Sequence, residues 1–236
     1  MVYAREIDGE TYRFGVAGLD EGTLLLYGAE TGSRWSQLVG AAVRGEMKGR
    51  RLEKLPSAMT TLGRWKELHP ETKVYVKRSI PYGARFTGQA FAGITEGEEG
   101  PVRADDLVIG VEGPTEARAY LARRLARSGH LVHDELEGMP IAVYLGEDLA
   151  TARVHDRRVE DRSLSFERDG GDRLRDAEAG SLWEALSGEA VDGPLKGRRL
   201  QPLISTHSLW FAWRKYRPDT SLHAEAVAGP GDAGDS

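Results

Sequence analysis

The chain has 236 residues, enough for one large domain or two small ones, and its apolar and charged fractions lie near globular averages, which opposes wholesale disorder. Its net charge of -5 opposes a general polyanion-binding role, because neutralising phosphates requires clustered Lys and Arg. No cysteine is present, which excludes disulfides, thiolate nucleophiles and Cys-ligated metal centres from this chain.

The start of the chain lacks the basic and apolar segments of a secretory signal. No apolar run approaches the roughly 18 residues that a membrane span requires. As the sequence is written, we therefore expect a soluble, cytoplasmic protein without a membrane span.

Short strands joined by glycine-rich turns are predicted in the first part of the chain, because glycine adopts positive φ at little cost. Residues 12–16 and 23–27 are strand candidates. Apolar side chains then recur every third residue over 59–68, which predicts a helix that ends before Pro70. Residues 74–77 are a further strand candidate.

Residues 95–104 are rich in Gly and acidic side chains and are predicted to be a linker. Strands are predicted at 107–111 and 141–144, and residues 116–128 are predicted as a strand edge followed by a short helix. A second threefold pattern, over 207–216, predicts a helix like the one in the first part. Residues 226–236 have almost nothing to bury and are predicted to be a disordered tail.

The later part of the chain resembles the earlier part. Residues 32–74 align without a gap onto residues 180–222, and about 18 of the 43 pairs are identical, including Trp35 with Trp183. Similarity over this length predicts one supersecondary unit used twice.

These patterns predict an α+β, strand-dominated fold of two homologous modules, residues 1–94 and 105–225, each with a short helix near its end. We expect the two modules to pack against each other. Met1 aligns with Arg153, so the first module has no counterpart of residues 105–152. We therefore expect an unpaired sheet edge and an incomplete apolar face there, and we interpret Met1 as an internal methionine of a longer gene product.

Several short motifs stand out in the two modules. The first has Phe-Gly-Val-Ala-Gly at 14–18, Thr-Gly-Ser-Arg-Trp-Ser-Gln-Leu at 31–38 and His-Pro-Glu-Thr at 69–72. The second has Gly-Ser-Leu-Trp at 180–183 and Pro-Asp-Thr at 218–220. These motifs resemble the bacterial and archaeal family known as domain of unknown function 3179, over nearly the whole chain apart from the linker and tail.

The resemblance implies a Tyr-Cys-Pro-Leu-Cys-Gly segment, whose paired thiols suit redox chemistry or metal binding. The corresponding region of the second module, residues 141–150, contains no cysteine. We therefore interpret the second module as degenerate at that site. The first module begins after the point where the segment would lie.

Four residues in the two best-preserved blocks are candidates for ligand binding. Trp35 and Gln37 would stack on and hydrogen-bond a polar ligand. Arg50 and Arg51 would contact an anion through their guanidinium groups. The alternatives are a tryptophan buried beneath a turn in each module, and solvated arginines in a turn.

His130, His133 and His155, together with Asp134 and Asp156, are residue types that ligate divalent metals. Their spacing matches no familiar signature. We therefore interpret them as scattered surface residues and predict no metal site.

We expect an uncharacterised member of this family that binds a ligand or partner, or has a structural role, rather than an enzyme. No catalytic residue and no cofactor is predicted. The partner is unknown, and nucleic acid is disfavoured by the charge. The alternative is a fragment or inactive descendant of a thiol-redox or metal-binding protein.

Overall fold

Short strands dominate the protein. The computed structural model describes residues 1–20, 23–76 and 102–224, in which there are 22 strands and three helices. This confirms the predicted strand-dominated α+β class. The longest helices of these ranges have seven residues, and none is long and apolar enough to cross a membrane.

The first half of the chain forms one four-stranded sheet with smaller pairings around it. Its elements are β1 (Val2–Tyr3), β2 (Glu6–Ile7), β3 (Glu10–Thr11), β4 (Phe14–Asp20), β5 (Thr23–Gly28), β6 (Arg34–Ser36), β7 (Ala41–Arg44), β8 (Lys54–Leu55) and α1 (Leu62–Leu68). Strands β4, β5, β6 and β7 pair antiparallel in that order and are called the first sheet. The β2–β3 hairpin and the β1–β8 pair lie outside it.

The second half begins with two sheets, of which only the pairing of residues 155–156 with 201–202 has a counterpart in the described first half, namely the β1–β8 pair. Its first elements are β9 (Leu107–Glu112), β10 (Ala117–Leu121), α2 (Ala122–Arg127), β11 (Leu131–Leu136), β12 (Met139–Leu145) and β13 (Ala152–Asp156). The next are β14 (Arg158–Val159), β15 (Arg162–Ser163), β16 (Phe166–Arg168), β17 (Arg173–Asp176), β18 (Leu182–Glu184) and β19 (Glu189–Asp192). The last are β20 (Gln201–Pro202), β21 (Ser205–Leu209), α3 (Trp210–Tyr216) and β22 (Ser221–Leu222).

Three four-stranded sheets result in this half. Their strand orders are β21-β9-β10-β22, β11-β12-β13-β20 and β16-β17-β18-β19. The last of these is called the second sheet, because its antiparallel order and its place in the chain correspond to those of the first sheet. The β14–β15 hairpin precedes it, as β2–β3 precedes the first sheet.

The same bonds occur at aligned positions of the two sheets. Ser33 Oγ accepts a hydrogen bond from the Met47 amide at 3.1 Å, and Ser181 Oγ accepts one from the Leu195 amide at 2.9 Å. Both serines are fully buried. Each serine therefore satisfies a backbone donor of the turn that follows the last strand of its sheet.

An edge-to-face aromatic pair also occurs in both sheets. Phe14 meets Trp35 with ring centroids 5.5 Å apart, and Phe166 meets Trp183 at 5.8 Å. This is the favoured arrangement of aromatic quadrupoles. It brings the first strand of each sheet against the third.

Helices α1 and α3 end with the same side-chain bond but are packed differently. Trp65 Nε1 donates to Thr72 Oγ1 at 2.9 Å, and Trp213 Nε1 donates to Thr220 Oγ1 at 3.0 Å. Trp213 is fully buried against β9 and β10, whereas Trp65 is 36% exposed. No residue of α1 is buried, because the described part of the first half offers it no counterpart of β9 and β10.

Most of the apolar core lies in the second half. Its largest cluster joins β9 and β10 to strands β11, β12 and β13, with Ile109 and Val143 among its fully buried members. The first half contributes one small cluster, whose buried members are Ile7, Trp35 and Ala42. Burial of apolar surface therefore stabilises the described part of the second half more than that of the first half.

Both predicted helices begin one turn later than their periodicity indicates. Met59 instead forms a β-bridge with Ala152, and His207 lies in β21 opposite Ile109. At both positions, a residue that the threefold pattern predicted to be helical is paired with a strand instead.

Residues 74–76 form no strand, contrary to the prediction, and their side chains are exposed. Residues 77–101, which include most of the predicted linker, and the predicted tail at 226–236 lie outside the described residues. The end of the linker is described, and there Val102 and Ala104 are buried.

Candidate functional site

A cleft lies between the first sheet and helix α3. Its volume is about 220 Å³. The sheet supplies most of the apolar lining and the helix supplies one cation and one aromatic ring. The lining residues are Asp20, Leu25, Ser36, Leu38, Val39, Val43, Lys215 and Tyr216. Sites for small ligands are concave, largely apolar and carry a few polar groups, so this cleft is the candidate site.

Strand pairing and one tight turn shape the sheet side of the cleft. Leu25 of β5 lies opposite Ser36 of β6. The turn after β6 closes at Gly40, which has a φ of +67° and whose added Cβ would lie 2.4 Å from the Tyr3 ring. Glycine is therefore required there for both conformation and space. Tyr3 OH also donates to the Gln37 carbonyl at 2.8 Å, which fixes the turn.

Tyr216 is held in the cleft wall by an ion pair that joins the two halves of the chain. Lys54 of β8 pairs with Glu112 of β9, and both side chains are largely buried. Tyr216 OH donates to Glu112 Oε2 at 3.0 Å and accepts from Lys54 Nζ at 2.7 Å. These bonds fix the ring before any ligand arrives.

Apart from the Lys54–Glu112 pair that holds Tyr216, the charged groups that the described residues place at the cleft are two cations and one carboxylate. Asp20 and Lys215 are lining residues, and Arg44 lies 3.9 Å from the Asp20 carboxylate. Asp20 and Lys215 each make further contacts. The three groups together carry a net charge of one positive unit.

The second sheet carries an ionic cluster against helix α1. Arg64 of α1 pairs with Glu184 through Nη2 and with Asp172 through Nε, each at 2.6 Å. The contact with Asp172 is an ion pair whose angle does not suit a hydrogen bond. Glu67 pairs with Arg64 at 2.7 Å, and Tyr144 OH donates to Asp172. Burial alone lowers the pKa of Arg64, but the three carboxylates outweigh burial and raise it.

The four predicted ligand-binding residues lie in different settings. Trp35 is buried in the core of the first half. Arg50 pairs with Asp8 at 2.5 Å, and Arg51 is exposed and forms a β-bridge with Ala41. Gln37 is exposed and is flanked in the sequence by two lining residues of the cleft. Ligand binding by these four residues stays a prediction.

The histidines and aspartates considered as metal ligands do not converge. His155 is fully buried and donates from Nε2 to the Ala185 carbonyl at 2.8 Å, so its interpretation as a surface residue is wrong. His133 Nε2 accepts from the Phe166 amide at 3.1 Å. Nowhere in the described ranges do three or more His, Cys, Asp or Glu side chains group closely enough to hold a metal ion.

The pKa of His155 is lowered to about 4, mainly by burial, which outweighs the opposing bond to Ala185 and is aided by the positive charge of Arg153. Nδ1 of the ring finds no partner among the described residues. A second proton would therefore be placed on a buried nitrogen that has no acceptor.

Asp134 belongs to a polar cluster that sequence reasoning missed. Its carboxylate accepts hydrogen bonds from Arg118 at 2.8 Å, Tyr120 at 2.7 Å and His223 Nδ1 at 3.0 Å. Burial alone raises the pKa of Asp134, but the bonds from Arg118 and Tyr120 outweigh it and lower the pKa. Because His223 lies 89 residues from Asp134 in the sequence, no spacing motif reveals the cluster, which fastens the end of the described chain to β10 and β11.

The helix side of the cleft was also missed. Lys215 and Tyr216 were noted only as part of a helical pattern. The alignment of residues 32–74 with 180–222 could have indicated these residues, because it pairs Ser36 with Glu184 and Glu67 with Lys215. Polar positions that change character between two otherwise similar modules are candidates for a role that only one module has.

A comparison with protein families gives one match, to the family described as Protein of unknown function (DUF3179), over residues 1–220. The chain belongs to the DUF3179 family. This confirms the resemblance found from the motifs at 14–18 and 31–38. Comparisons with curated proteins and with solved structures gave no match. Membership of the DUF3179 family assigns no activity to the cleft.

Proposed function

We propose that this protein is a non-catalytic binding protein whose ligand is a small molecule held in the cleft between the first sheet and α3. The observation that carries the proposal is the cleft, with its volume of about 220 Å³. An apolar cavity of roughly 150 Å³ suffices to bind benzene. The cleft therefore suits a molecule with one ring, or a branched chain of that size, and a short polar arm.

The walls of the cleft are formed before a ligand binds. The Tyr216 ring is held through its hydroxyl by Lys54 and Glu112, and Ser36 Oγ accepts a hydrogen bond from the Val39 amide at 3.3 Å. A site whose side chains are already ordered loses little conformational entropy on binding.

We also propose that the two modules, with boundaries near residues 1–94 and 105–225, derive from one ancestral unit. The equivalent bonds of Ser33 and Ser181 support this origin. In this view the cleft is a specialised feature of the contact between the first sheet and α3, which the contact between the second sheet and α1 lacks.

Binding is tested by NMR titration with three probes of nearly equal size, namely benzyl alcohol, benzoate and benzylammonium. We expect at least one probe to shift the methyl signals of Leu25, Leu38 and Val43 in a saturable way. A dissociation constant of about 1 mM, or roughly −4 kcal/mol, is expected for so few atoms. If no probe gives saturable shifts, the proposal fails.

A pair of matched variants assigns the binding to the cleft. Val39→Phe places a ring in the cleft and is expected to weaken probe binding at least tenfold. Val16→Phe makes the same change in β4, where Val16 is 64% exposed and is not a lining residue, and should leave binding unchanged. Equal probe binding by both variants would place the ligand elsewhere.

A further inference from the structure

The cleft and the Arg64 cluster occupy corresponding places on the two sheets. Ser36 and Glu184 each end the third strand of their sheet. The Ser36 carbonyl accepts from the Gly40 amide at 2.9 Å, and the Glu184 carbonyl accepts from the Gly188 amide at 2.8 Å. The two side chains therefore start from equivalent points of equivalent turns.

The two helices correspond in the same way. The alignment places Ala212 of α3 opposite Arg64 of α1, and Lys215 opposite Glu67. Residues three apart lie on one helix face, so Ala212 and Lys215 share a face just as Arg64 and Glu67 do. Lys215 and Ser36 both line the cleft.

The cleft thus corresponds to the position at which the second sheet has an ion pair between Arg64 and the buried Glu184. At the positions aligned with Arg64 and Glu184, which meet at 2.6 Å, α3 has Ala212 and the first sheet has Ser36, and both side chains are small. The atoms that fill the second site have no counterpart in the first. An opening remains there, because neighbouring elements collapse only partly around missing side chains.

The charge of the surroundings is also reversed. In the filled site a cation is surrounded by carboxylates. In the cleft, the helix position of Glu67 is taken by Lys215 and the sheet carboxylate of Glu184 is replaced by a hydroxyl, while Asp20 is shared with Arg44. A cationic ligand would meet two cations and one carboxylate, whereas an anion would be attracted.

We propose that the cleft binds a small organic monoanion, a carboxylate carried on a single ring or a branched aliphatic group, with Lys215 contacting the carboxylate. This assignment rests on the proposed function. The ammonium of lysine has three donors, so a lysine can keep one partner and also donate to a carboxylate oxygen. The apolar part of the ligand would lie against Leu25, Leu38 and Val43.

The ligand class is tested with the same three probes at pH 7 and low ionic strength. We expect benzoate to bind at least tenfold more tightly than benzyl alcohol, a difference of about 1.4 kcal/mol. Benzylammonium should bind more weakly than benzyl alcohol. Added salt should weaken benzoate alone, because screening acts on the charged probes and reduces attraction only for the anion.

Two lysine variants identify the contact. Lys215→Met keeps the length of the side chain and removes its charge, so it should reduce benzoate affinity to that of benzyl alcohol and leave benzyl alcohol within about twofold. Lys196→Met removes an exposed lysine from a turn of the second half and should change nothing.

The outcomes separate the two proposals. If benzyl alcohol or benzylammonium binds as tightly as benzoate, or if Lys215→Met leaves the preference for benzoate intact, the anion assignment is overturned and the cleft remains a binding site. If none of the three probes binds, the proposed function itself has failed. Should Lys215→Met not fold, the relative affinities of the three probes for the unmodified chain still decide the ligand class.

Discussion

Replacing His155 by glutamine is expected to remove one part of the protein's loss of stability in mild acid, the other part coming from groups such as the half-buried His207. His155 is fully buried and donates from Nε2 to the Ala185 carbonyl at 2.8 Å. The amide nitrogen of glutamine can donate to the same carbonyl, and it does not titrate. The variant therefore keeps the buried bond and removes only the ionisable group.

The magnitude follows from the pKa of His155 in the two states. Burial lowers it to about 4 in the folded protein, whereas an unfolded chain has a histidine pKa of about 6.5. Between these values the unfolded state binds the proton, so the free energy of unfolding falls as pH falls. The stability is fully present above pH 6.5, and linkage gives a loss of about 2 kcal/mol between pH 7 and 5 and roughly 3 kcal/mol by pH 4.

Urea denaturation of the native protein and His155→Gln at pH 7 and pH 5 measures this effect. The variant should lose about 2 kcal/mol less than the native protein over that interval. His69→Gln is the control, because His69 is exposed and its replacement should leave the pH dependence unchanged. An equal loss for native protein and His155→Gln would show that His155 is not held neutral by burial.

Three further predictions concern stability at pH 7, measured as shifts of the urea denaturation midpoint. Gly28→Asp should stabilise the protein by about 1 kcal/mol, because it offers an acceptor to Trp35 Nε1, which has none among the described residues. Arg64→Met should cost about 3–5 kcal/mol by leaving the buried Glu184 carboxylate uncompensated, and adding Glu184→Gln should restore part of the loss. Gly188→Ala should cost about 2–3 kcal/mol, because this residue has a φ of +72° and the new Cβ would lie 2.7 Å from the ring of a buried histidine.

Each of these predictions has a reference within the chain. Asp176 Oδ2 accepts from Trp183 Nε1 at 2.8 Å, which is the bond that Gly28→Asp would reproduce, and no gain would mean that Trp35 Nε1 is already satisfied. Additive effects of the two charge substitutions would show that the Arg64 cluster is not coupled. Gly197 has a φ of +83°, and a Cβ added to it would meet no atom within 4 Å. If Gly197→Ala cost as much as Gly188→Ala, the clash with the histidine ring would not contribute to the cost at Gly188.

The strand-dominated class and several strand positions could be predicted because glycine-punctuated apolar segments report local structure. The threefold patterns from Met59 and His207 misplaced the helix starts, since periodicity does not register pairing with a distant strand. The buried state of His155 was missed for a related reason. Its acceptor, the Ala185 carbonyl, is reached only in the folded chain.

The cleft could not be predicted from the sequence. Leu25 and Tyr216 come from opposite ends of the chain and meet only because α3 packs on the first sheet. Within the preserved block at 31–38, the sequence drew attention to Trp35, whose conservation between modules reflects burial, while Ser36 beside it differs between them. The aligned segments 32–74 and 180–222 share strands and turns, whereas Ser36 and Lys215, which line the cleft, differ from the residues aligned with them.

The unequal cores of the two halves have a consequence for synthesis of the chain. The first half leaves the ribosome first, yet its core is confined to a small cluster around Trp35, and α1 relies on Glu184 and Asp172, which are translated about a hundred residues later. Domains with enough local contacts fold as they emerge. We therefore expect the described part of the first half to stay incompletely packed on the ribosome until the second half has been made.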